Sequence, residues 1–285
     1  MKLGIACDSV LDLSKELLEQ NNIQVYPLTI TLGDNTYSDG VDINTQMIFE
    51  YVEKNKVLPK TSATNEFTYG EIFAELKSKY DEVIYFTISN EMSCCYQNAV
   101  KAAKEYEGVY VVDSRELSTG IGLEVLYACA LRNKELDAKT IVEKVKARIP
   151  YVQASFVVER LDYLHKGGRC SALAMFGANL LKLRPQIIVK DGKMGSYKKY
   201  RGKMESVVYD YVKDTLAEFN NPDPTMCFIT YSSASNEMIE SARKALGDFG
   251  NFETIYETNA GATVTSHCGE HTLGVLYFND GKQEW

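Results

Sequence analysis

Glu82 to Gln97 read EVIYFTISNEMSCCYQ, and this stretch decides how the chain folds. Val83 to Ile88 is a run of β-branched and aromatic residues without polar interruption, which is typical of a parallel strand covered on both faces. The helical spacing i, i+3, i+4, i+7 then appears in four side chains, Tyr96, Ala99, Val100 and Ala103. The stretch therefore predicts a strand, a polar turn and a helix, in that order.

The polar turn carries Ser93 at the position expected for the residue that caps a helix N-terminus. Such a turn offers hydroxyl groups, unpaired backbone N–H groups and the positive end of a helix dipole, which together suit a carboxylate. The alternative is that Ser93 only caps its helix. Further along the chain, Gly167-Gly168-Arg169 offers a guanidinium that suits either an anion or an ordinary salt bridge between domains.

Length and charge limit what the chain can be. It has 285 residues, of which 45% are hydrophobic, so it can bury a large core. The length favours two domains, and the pattern changes near Pro150, which predicts domains at residues 1–150 and 151–285. The net charge of −8 argues against nucleic acid or an anionic membrane surface as the main partner.

The expected location follows from what the sequence does not contain. No apolar run approaches the roughly 20 residues of a membrane-spanning helix, and the N-terminus enters a strand without a signal peptide. We therefore expect a cytoplasmic protein, and we expect a monomer. The seven cysteines lack CxxC spacing and several lie in apolar runs, so we expect reduced thiols and no disulfide framework.

Strands alternate with helices in the first 150 residues. Strands are predicted at residues 2–7, 25–32, 83–88 and 109–112, and residues 32–40 and 59–64 are predicted as turn-rich loops. The alternation indicates a doubly wound, Rossmann-like parallel sheet, whose ligands bind beyond the C-terminal strand ends. Asp8-Ser9, Ser89 to Ser93 and Asp113-Ser114 lie at such ends.

The second half of the chain indicates an α/β domain with a mixed sheet. Residues 162–169 are predicted as a charged loop, and residues 173–181 as a buried helix that is apolar nearly all round. Asp191-Gly192 is a strong hairpin signal between two predicted strands. The remaining predicted elements are helices at 204–219 and 236–246 and strands at 226–231, 254–256 and 274–278.

The motifs in the sequence bear on three kinds of site: a nucleotide site, a metal site and the active site of a hydrolase. Gly120-Ile121-Gly122 lacks the third glycine of a dinucleotide site, and no GxxxxGK[ST] occurs, so we expect no nucleotide and no other cofactor. His267-Cys268 with His271 would need further ligands to hold a metal, and we expect none. A hydrolase would pair Ser93 with His267 and a carboxylate such as Asp8, although GxSxG is absent.

Six segments follow one another along the chain in a distinctive order. They are Asp8-Ser9 with Asp12-Leu13 (DSxxDL), Thr61-Ser62 (TS), Ile88 to Gln97 (ISxxLSGTYQ), Val112 to Gly122 (VDSxxxSxGxG), Leu161 to Ser171 (LxYLxKGGRxS), and Leu183 to Gly192 followed by His267 and Gly269 (HxGPG). Together they resemble the DegV family of fatty-acid-binding proteins over essentially the whole chain. The chain departs from the family pattern at three places, Cys94-Cys95 for Gly-Thr, Thr64 for a frequent proline, and Glu270-His271 for Pro-Gly.

The resemblance implies a carrier that holds one long-chain fatty acid at the interface of a Rossmann-like N-terminal domain and a second α/β domain. It implies that the acyl chain is buried and that the carboxylate is contacted by Thr61 or Ser62, by Ser93 and by the N–H of Cys94, with Arg169 and His267 nearby. The predicted ligand-binding residues are these six. In bacteria it further implies a separate ATP-dependent fatty-acid kinase, which converts the bound acid to an acyl phosphate for phospholipid synthesis. The carrier itself would then not be an enzyme, and a Ser93-based esterase or thioesterase is the alternative.

A basic cluster on the return arm of the predicted hairpin is the candidate docking surface for such a kinase. Lys198, Lys199, Arg201 and Lys203 lie close together in a chain of net charge −8, and a basic patch can steer an acidic partner. Lys199 and Arg201 are the predicted docking residues. The alternative is a solvated edge strand that its lysines protect from aggregation.

Overall fold

The computed structural model describes residues 2–170, 183–283 and 285. In chain order the strands are β1 Leu3–Asp8, β2 Ile23–Tyr26, β3 Thr29–Leu32, β4 Asn35–Ser38, β5 Lys60–Ser62, β6 Glu82–Thr87, β7 Val109–Asp113, β8 Val152–Val157, β9 Arg184–Lys190, β10 Lys193–Tyr200, β11 Met226–Tyr231, β12 Thr254–Asn259 and β13 Leu273–Phe278. The α-helices are α1 Lys15–Gln20, α2 Thr45–Asn55, α3 Glu66–Lys77, α4 Cys95–Ala103, α5 Thr119–Asn133, α6 Ala138–Arg148, α7 Asp162–Gly167, α8 Met204–Glu218, α9 Asn236–Phe249 and α10 Ala262–Cys268.

A four-stranded parallel sheet forms the first half of the fold. Its strand order is β2-β1-β6-β7, and every neighbouring pair is parallel. Five of the six residues of β6 are buried, because helices cover the sheet: α3 packs on α4, and α5 packs on α6. The predicted Rossmann-like parallel sheet is therefore confirmed, and its polar turn follows β6 as expected.

A six-stranded mixed sheet forms the second half, with the strand order β10-β9-β8-β13-β11-β12. Only β11 and β12 are parallel neighbours, and the other pairs are antiparallel. The predicted hairpin is present: Asp191 and Gly192 both have positive φ, 51° and 81°, as a two-residue turn with Asp-Gly favours. The predicted combination of a parallel sheet with a second, mixed-sheet α/β part is confirmed.

A third, small antiparallel sheet of order β4-β3-β5 lies in the first half, and it corrects two predictions. The single strand predicted at residues 25–32 is divided at Pro27 into β2, in the parallel sheet, and β3, in the small sheet. Proline has no N–H for the ladder, so the strand ends there and the chain changes sheets. The segments predicted as loops at 32–40 and 59–64 supply β4 and β5, whose few residues give no clear period.

The two large sheets share one hydrophobic cluster. Ile5 and Phe86 from the parallel sheet and Phe156 and Phe228 from the mixed sheet all belong to it, and each is at most 8% exposed. The core therefore continues from one half of the chain into the other. The division into domains at residues 1–150 and 151–285 stays a prediction.

Two predictions concern the segment after β8. Residues 162–167, predicted as part of a charged loop, form helix α7, which ends at Gly168 in the left-handed conformation. The predicted apolar helix at residues 173–181 lies outside the described residues. Within the described ranges, no helix has both the length and the apolar character needed to cross a membrane.

Candidate functional site

A cavity of about 390 Å³ lies beside the polar turn that follows β6. Its volume falls within the range of small-molecule sites, roughly 300–1,000 Å³. The lining includes all six residues that the sequence predicted as ligand contacts, namely Thr61, Ser62, Ser93, Cys94, Arg169 and His267. The fold thus collects them from both halves of the chain, while their role as ligand contacts stays a prediction.

The remainder of the lining is mainly apolar. It includes eight aliphatic or thioether side chains, Val10, Leu28, Ala63, Ile88, Met92, Leu117, Met194 and Val264. A second cavity, of about 30 Å³, shares Leu117, Val264 and Cys268 with the first and extends toward the mixed sheet at Phe156 and Leu276. The site is therefore amphipathic, with hydroxyl, imidazole and guanidinium groups together with an apolar surface that continues toward the second sheet.

The prediction that Ser93 is the N-cap of helix α4 is wrong by one residue. The N-cap of α4 is Cys94, and Ser93 Oγ accepts a hydrogen bond from the N–H of Cys95 at 3.3 Å. Ser93 Oγ also donates to Cys95 Sγ at 3.1 Å. Because the first N–H groups of a helix have no acceptor within it, α4 presents donors at the same place as the Ser93 hydroxyl.

Two residues of the lining, Thr61 and His267, are joined by a hydrogen bond, with 2.8 Å between Thr61 Oγ1 and His267 Nε2. Burial, together with the nearby positive charge of Arg169, lowers the pKa of His267 to about 4. The imidazole is therefore neutral at neutral pH. Its other nitrogen, Nδ1, is buried and has no hydrogen-bond partner within the described ranges.

Helix α10, which carries His267, was not predicted. Thr263, Val264 and Thr265 are β-branched and favour helices weakly, so the local sequence gives little signal. The helix is held from outside: Asp12 Oδ1 accepts the N–H of Gly261 at 2.8 Å, and Asp39 accepts those of Ala262 at 3.0 Å and Thr263 at 3.3 Å.

The predicted strand-end residue Asp8 is buried and makes internal hydrogen bonds. Its Oδ1 accepts hydrogen bonds from the hydroxyls of Tyr69 and Tyr85, each at 2.9 Å, and burial raises its pKa to about 6. Burial likewise raises the pKa of Asp12 to about 7, although Ser118 and the Gly261 N–H donate to it. These carboxyl groups serve internal hydrogen bonds, and neither lines the larger cavity.

The contacts do not assemble the catalytic triad of the hydrolase alternative. Ser93 Oγ bonds to atoms of Cys95, and His267 Nε2 bonds to Thr61. Asp8 bonds to the two tyrosines. A base within hydrogen-bond reach of the nucleophile is the first requirement of such chemistry, and His267 is paired with Thr61 and has no hydrogen bond to Ser93.

The cationic residues differ in their relation to the cavity. Arg169 is exposed at its edge and donates to the carbonyl of Gly167 at 2.6 Å. Lys199 and Arg201 are exposed but do not line the cavity. Lys199 lies five residues along β10 from Met194, a cavity residue, which corresponds to about 17 Å in an extended strand. Lys199 and Arg201 therefore lie outside the cavity lining that contains the six predicted ligand contacts.

His267 and His271, the two histidines of the metal alternative, contact different residues. His267 faces the cavity and Thr61, whereas Nδ1 of His271 contacts the carboxylate of Glu159. Among the residues that the structure describes, no group of three or more His, Cys, Asp or Glu side chains could hold a metal ion.

Comparison with known proteins places the chain in a family. The family model described as DegV, a family of uncharacterised proteins, matches residues 2–280. The chain belongs to the DegV family. A DegV domain-containing protein of Clostridium acetobutylicum is 31% identical over 280 residues, covering 97% of this chain and 98% of that protein. A second, from Caldanaerobacter subterraneus, is 29% identical over 280 residues, covering 97% of this chain and 98% of that protein.

Solved DegV structures share the fold closely. One is a DegV family protein from Thermus thermophilus that is described as binding fatty acid. Its TM-score is 0.90 and its sequence identity is 25%, and the match covers 98% of this chain and 99% of that one. A stearic-acid-binding protein from Eubacterium ventriosum has a TM-score of 0.85 and 26% identity, covering 97% and 98%. The family resemblance predicted from the six segments is confirmed.

Proposed function

We propose that this DegV protein binds one long-chain fatty acid in the 390 Å³ cavity, with the carboxylate at Thr61, Ser93 and His267 and the acyl chain along the apolar lining. The observation that carries the proposal is that one cavity combines hydroxyl groups and a guanidinium with an apolar surface. It is supported by the fatty-acid binding described for the Thermus thermophilus relative and the stearic acid described for the Eubacterium ventriosum relative.

The energetics of the cavity suit such a ligand. Each buried CH₂ group contributes about 0.8 kcal/mol, so a chain of sixteen or so carbons stabilises the complex by several kcal/mol after the cost of ordering it. At the other end, the Ser93 hydroxyl, the first N–H groups of α4 and Arg169 can each donate to a carboxylate. The neutral imidazole of His267 adds no positive charge, so the proposed binding does not depend on its protonation.

Native mass spectrometry of the purified protein, followed by solvent extraction, tests the proposal directly. We expect a bound lipid whose extracted mass is that of a long-chain acid, and uptake of added acid by delipidated protein. Ser93→Ala should weaken acid binding by about 1–3 kcal/mol, the cost of a lost hydrogen bond to a charged group, whereas the exposed Ser78→Ala should not. Protein that carries no lipid and takes up none on addition would reject the carrier function.

We propose further that the protein is a carrier without hydrolytic activity. The support is the pairing of His267 with Thr61, which leaves Ser93 without an oriented base. The protein should therefore hydrolyse p-nitrophenyl esters and acyl-coenzyme A thioesters no faster than a denatured control does. Turnover that Ser93→Ala abolishes would instead favour the esterase.

The partner that we propose is a separate fatty-acid kinase, which would phosphorylate the carboxylate for phospholipid synthesis in the cytoplasm. Ser62, Cys94 and Arg169 are exposed at the polar side of the cavity, so a partner could reach a carboxylate bound there. Lys199 and Arg201 would contact the partner at some distance from that opening. A kinase that contacts Lys199 would reach about 17 Å along β10 from Met194, a residue of the cavity lining.

The double substitution of Lys199 and Arg201 by alanine tests this docking surface. Acid affinity should be unchanged, because neither residue lines the cavity. Acyl-phosphate formation by a cognate kinase should slow, and more so at low salt, because exposed charges are screened over about 10 Å at 0.1 M. Equal rates for both proteins at low salt would exclude the surface and leave the carrier proposal standing.

A further inference from the structure

Thr263 has a buried hydroxyl group that no residue of the described ranges satisfies. Its side chain is 5% exposed, lines the 390 Å³ cavity, and its Oγ1 has no hydrogen-bond partner there. A buried hydroxyl without a partner destabilises the protein, because it has lost its bonds to water. Because Thr263 belongs to the cavity lining, a molecule bound there is a candidate partner for this hydroxyl.

The neighbouring hydroxyl groups of α10 show that the helix can satisfy such groups itself. Ser266 Oγ donates to the carbonyl of Ala262 at 2.7 Å, and Thr265 Oγ1 donates to that of Ala260 at 3.4 Å. Neither residue lines the cavity. Among the hydroxyl-bearing residues of α10, the unpaired hydroxyl is therefore that of Thr263, which is also the one that belongs to the cavity lining.

Two more buried polar atoms of the cavity lining are unpaired within the described ranges, namely His267 Nδ1 and Asn90 Oδ1. Thr263 and His267 are four residues apart on α10, so they share a face of the helix about 6 Å apart along its axis. If the carboxylate lies at His267 and the acyl chain runs along α10 toward its N-terminus, the first several atoms of the chain lie beside Thr263.

We propose that the cavity selects a fatty acid that carries a hydroxyl group near its carboxyl end, and that Thr263 Oγ1 is the hydrogen-bond partner of that hydroxyl. The inference rests on the proposed fatty-acid binding and specifies its substrate class. An unsubstituted chain would place methylene groups against Thr263 and leave its hydroxyl unpaired. A hydroxyl on the ligand both donates and accepts, so it can pair with Thr263 Oγ1 in either direction, whereas a carboxylate only accepts.

The chemistry predicts a preference of measurable size. A site built to bond a substrate hydroxyl discriminates against the analogue that lacks it, because the protein group is then left unpaired. With one such bond we expect about a tenfold difference in Kd between the two acids. A hydroxyl far along the chain should give no advantage, since it would lie against the apolar lining.

Titration calorimetry with three acids tests the inference: hexadecanoic acid, 3-hydroxyhexadecanoic acid and 12-hydroxyoctadecanoic acid. Delipidated wild-type protein should bind the 3-hydroxy acid about tenfold more tightly than either of the others. Thr263→Val keeps the shape of the side chain without the hydroxyl, and it should abolish the preference by weakening the 3-hydroxy acid and strengthening hexadecanoic acid. Thr263→Ser, which retains a hydroxyl, should keep the preference.

Thr265→Val is the matched control, since it removes a hydroxyl from the same helix outside the cavity, and it should keep the wild-type order of affinities. Equal affinity of wild-type protein for hexadecanoic and 3-hydroxyhexadecanoic acid would overturn the inference and assign the Thr263 hydroxyl to water. An equal effect of Thr263→Val on both acids would also overturn it. Failure of wild-type protein to bind any of the three acids would reject the proposed function as well.

Discussion

Thr61 Oγ1 lies 2.8 Å from Nε2 of His267, and this bond joins residues 206 positions apart in the chain. It connects β5 of the small sheet to α10 and holds the imidazole at the cavity wall. Thr61→Val should leave the fold intact and weaken acid binding by about 1–3 kcal/mol, because it removes a hydroxyl and leaves Nε2 unpaired. Calorimetric Kd values measure the effect. Thr36→Val, at an exposed position in β4, is the control and should bind acid like the wild type.

Gly167 packs directly against the same imidazole. A Cβ atom added there would lie 2.6 Å from Nδ1 of His267, which is closer than real Cβ contacts. Gly167→Ala should therefore displace the ring and raise the Kd for acid at least severalfold, with little change in the secondary structure seen by circular dichroism. Gly195→Ala is the matched control, because no atom lies within 4 Å of its added Cβ. Equal Kd values for the two variants would show that the ring position is unimportant for binding.

Asp39 is expected to support binding without touching the ligand. Its two carboxylate oxygens accept the N–H groups of Ala262 and Thr263, so Asp39→Ala removes both acceptors from the start of α10. We expect a loss of about 1–3 kcal/mol in the free energy of unfolding, together with weaker acid binding. Urea unfolding and calorimetry measure the two effects.

Asp137→Ala is the matched control for Asp39→Ala. Asp137 accepts the N–H of Thr140 at the start of α6, away from the cavity. Its loss should lower the melting temperature and leave the Kd for acid unchanged. Equal losses of affinity in the two variants would mean that general destabilisation, not the position of α10, governs binding.

The pH dependence of stability should carry a contribution from His267. Its pKa is about 4 in the folded protein against an ordinary value of 6.5, so between these values the unfolded chain binds the proton more strongly. Acidification from pH 7 to 5 therefore favours unfolding through this residue. The raised pKa values of Asp8 and Asp12 act in the opposite direction, since protonation there favours the folded state.

Comparison of the wild type with His267→Gln isolates that contribution, because Asp8 and Asp12 are present in both proteins. The loss of unfolding free energy between pH 7 and pH 5, from urea titrations, should be smaller in the variant. His165→Gln removes an exposed imidazole and serves as the control. A variant that loses as much stability as the wild type over this interval would contradict the burial of a neutral His267.

Arg148 is the buried cation that joins α6 to the end of the chain. It is 4% exposed, pairs with Asp223 and Asp280, and lies 3.9 Å above the ring of Phe278. Arg148→Ala would leave two buried carboxylates without their partner, so the free energy of unfolding should fall by about 3–5 kcal/mol. Arg243→Ala, which breaks exposed ion pairs, should change it far less. A similar small change for both variants in urea unfolding would contradict this account.

Much of the fold could be predicted because the local signals agree with the tertiary structure. The apolar run of β6, the period of α8 and the Asp-Gly turn each specify their element without help from distant residues. The strand ends of a parallel sheet meet at one edge, so the polar turn at Ser93 could be assigned to a site from its position alone.

Helix α10 and the small sheet could not be predicted, because their causes are distant in sequence. The residues of α10 favour extended structure, and its N–H groups are satisfied by Asp12 and Asp39, more than 220 positions earlier. Thr263 was missed for the same reason, since only the folded chain brings this residue into the cavity lining. Pro27 was the available signal that residues 25–32 could not form one strand.

The bonds from Asp12 and Asp39 to the start of α10 also bear on how the protein matures. During synthesis from the N-terminus, the first sheet can fold early. The hydrogen bonds of Asp12 and Asp39 can form only after residues 261–263 have been synthesised, because the N–H donors are on those residues. Likewise, the hydrogen bond between Thr61 and His267 can form only after His267 has been synthesised. On the ribosome, the site that we propose therefore lacks Thr263 and His267 until α10 has been made, so it can close only after that segment joins the folded first sheet.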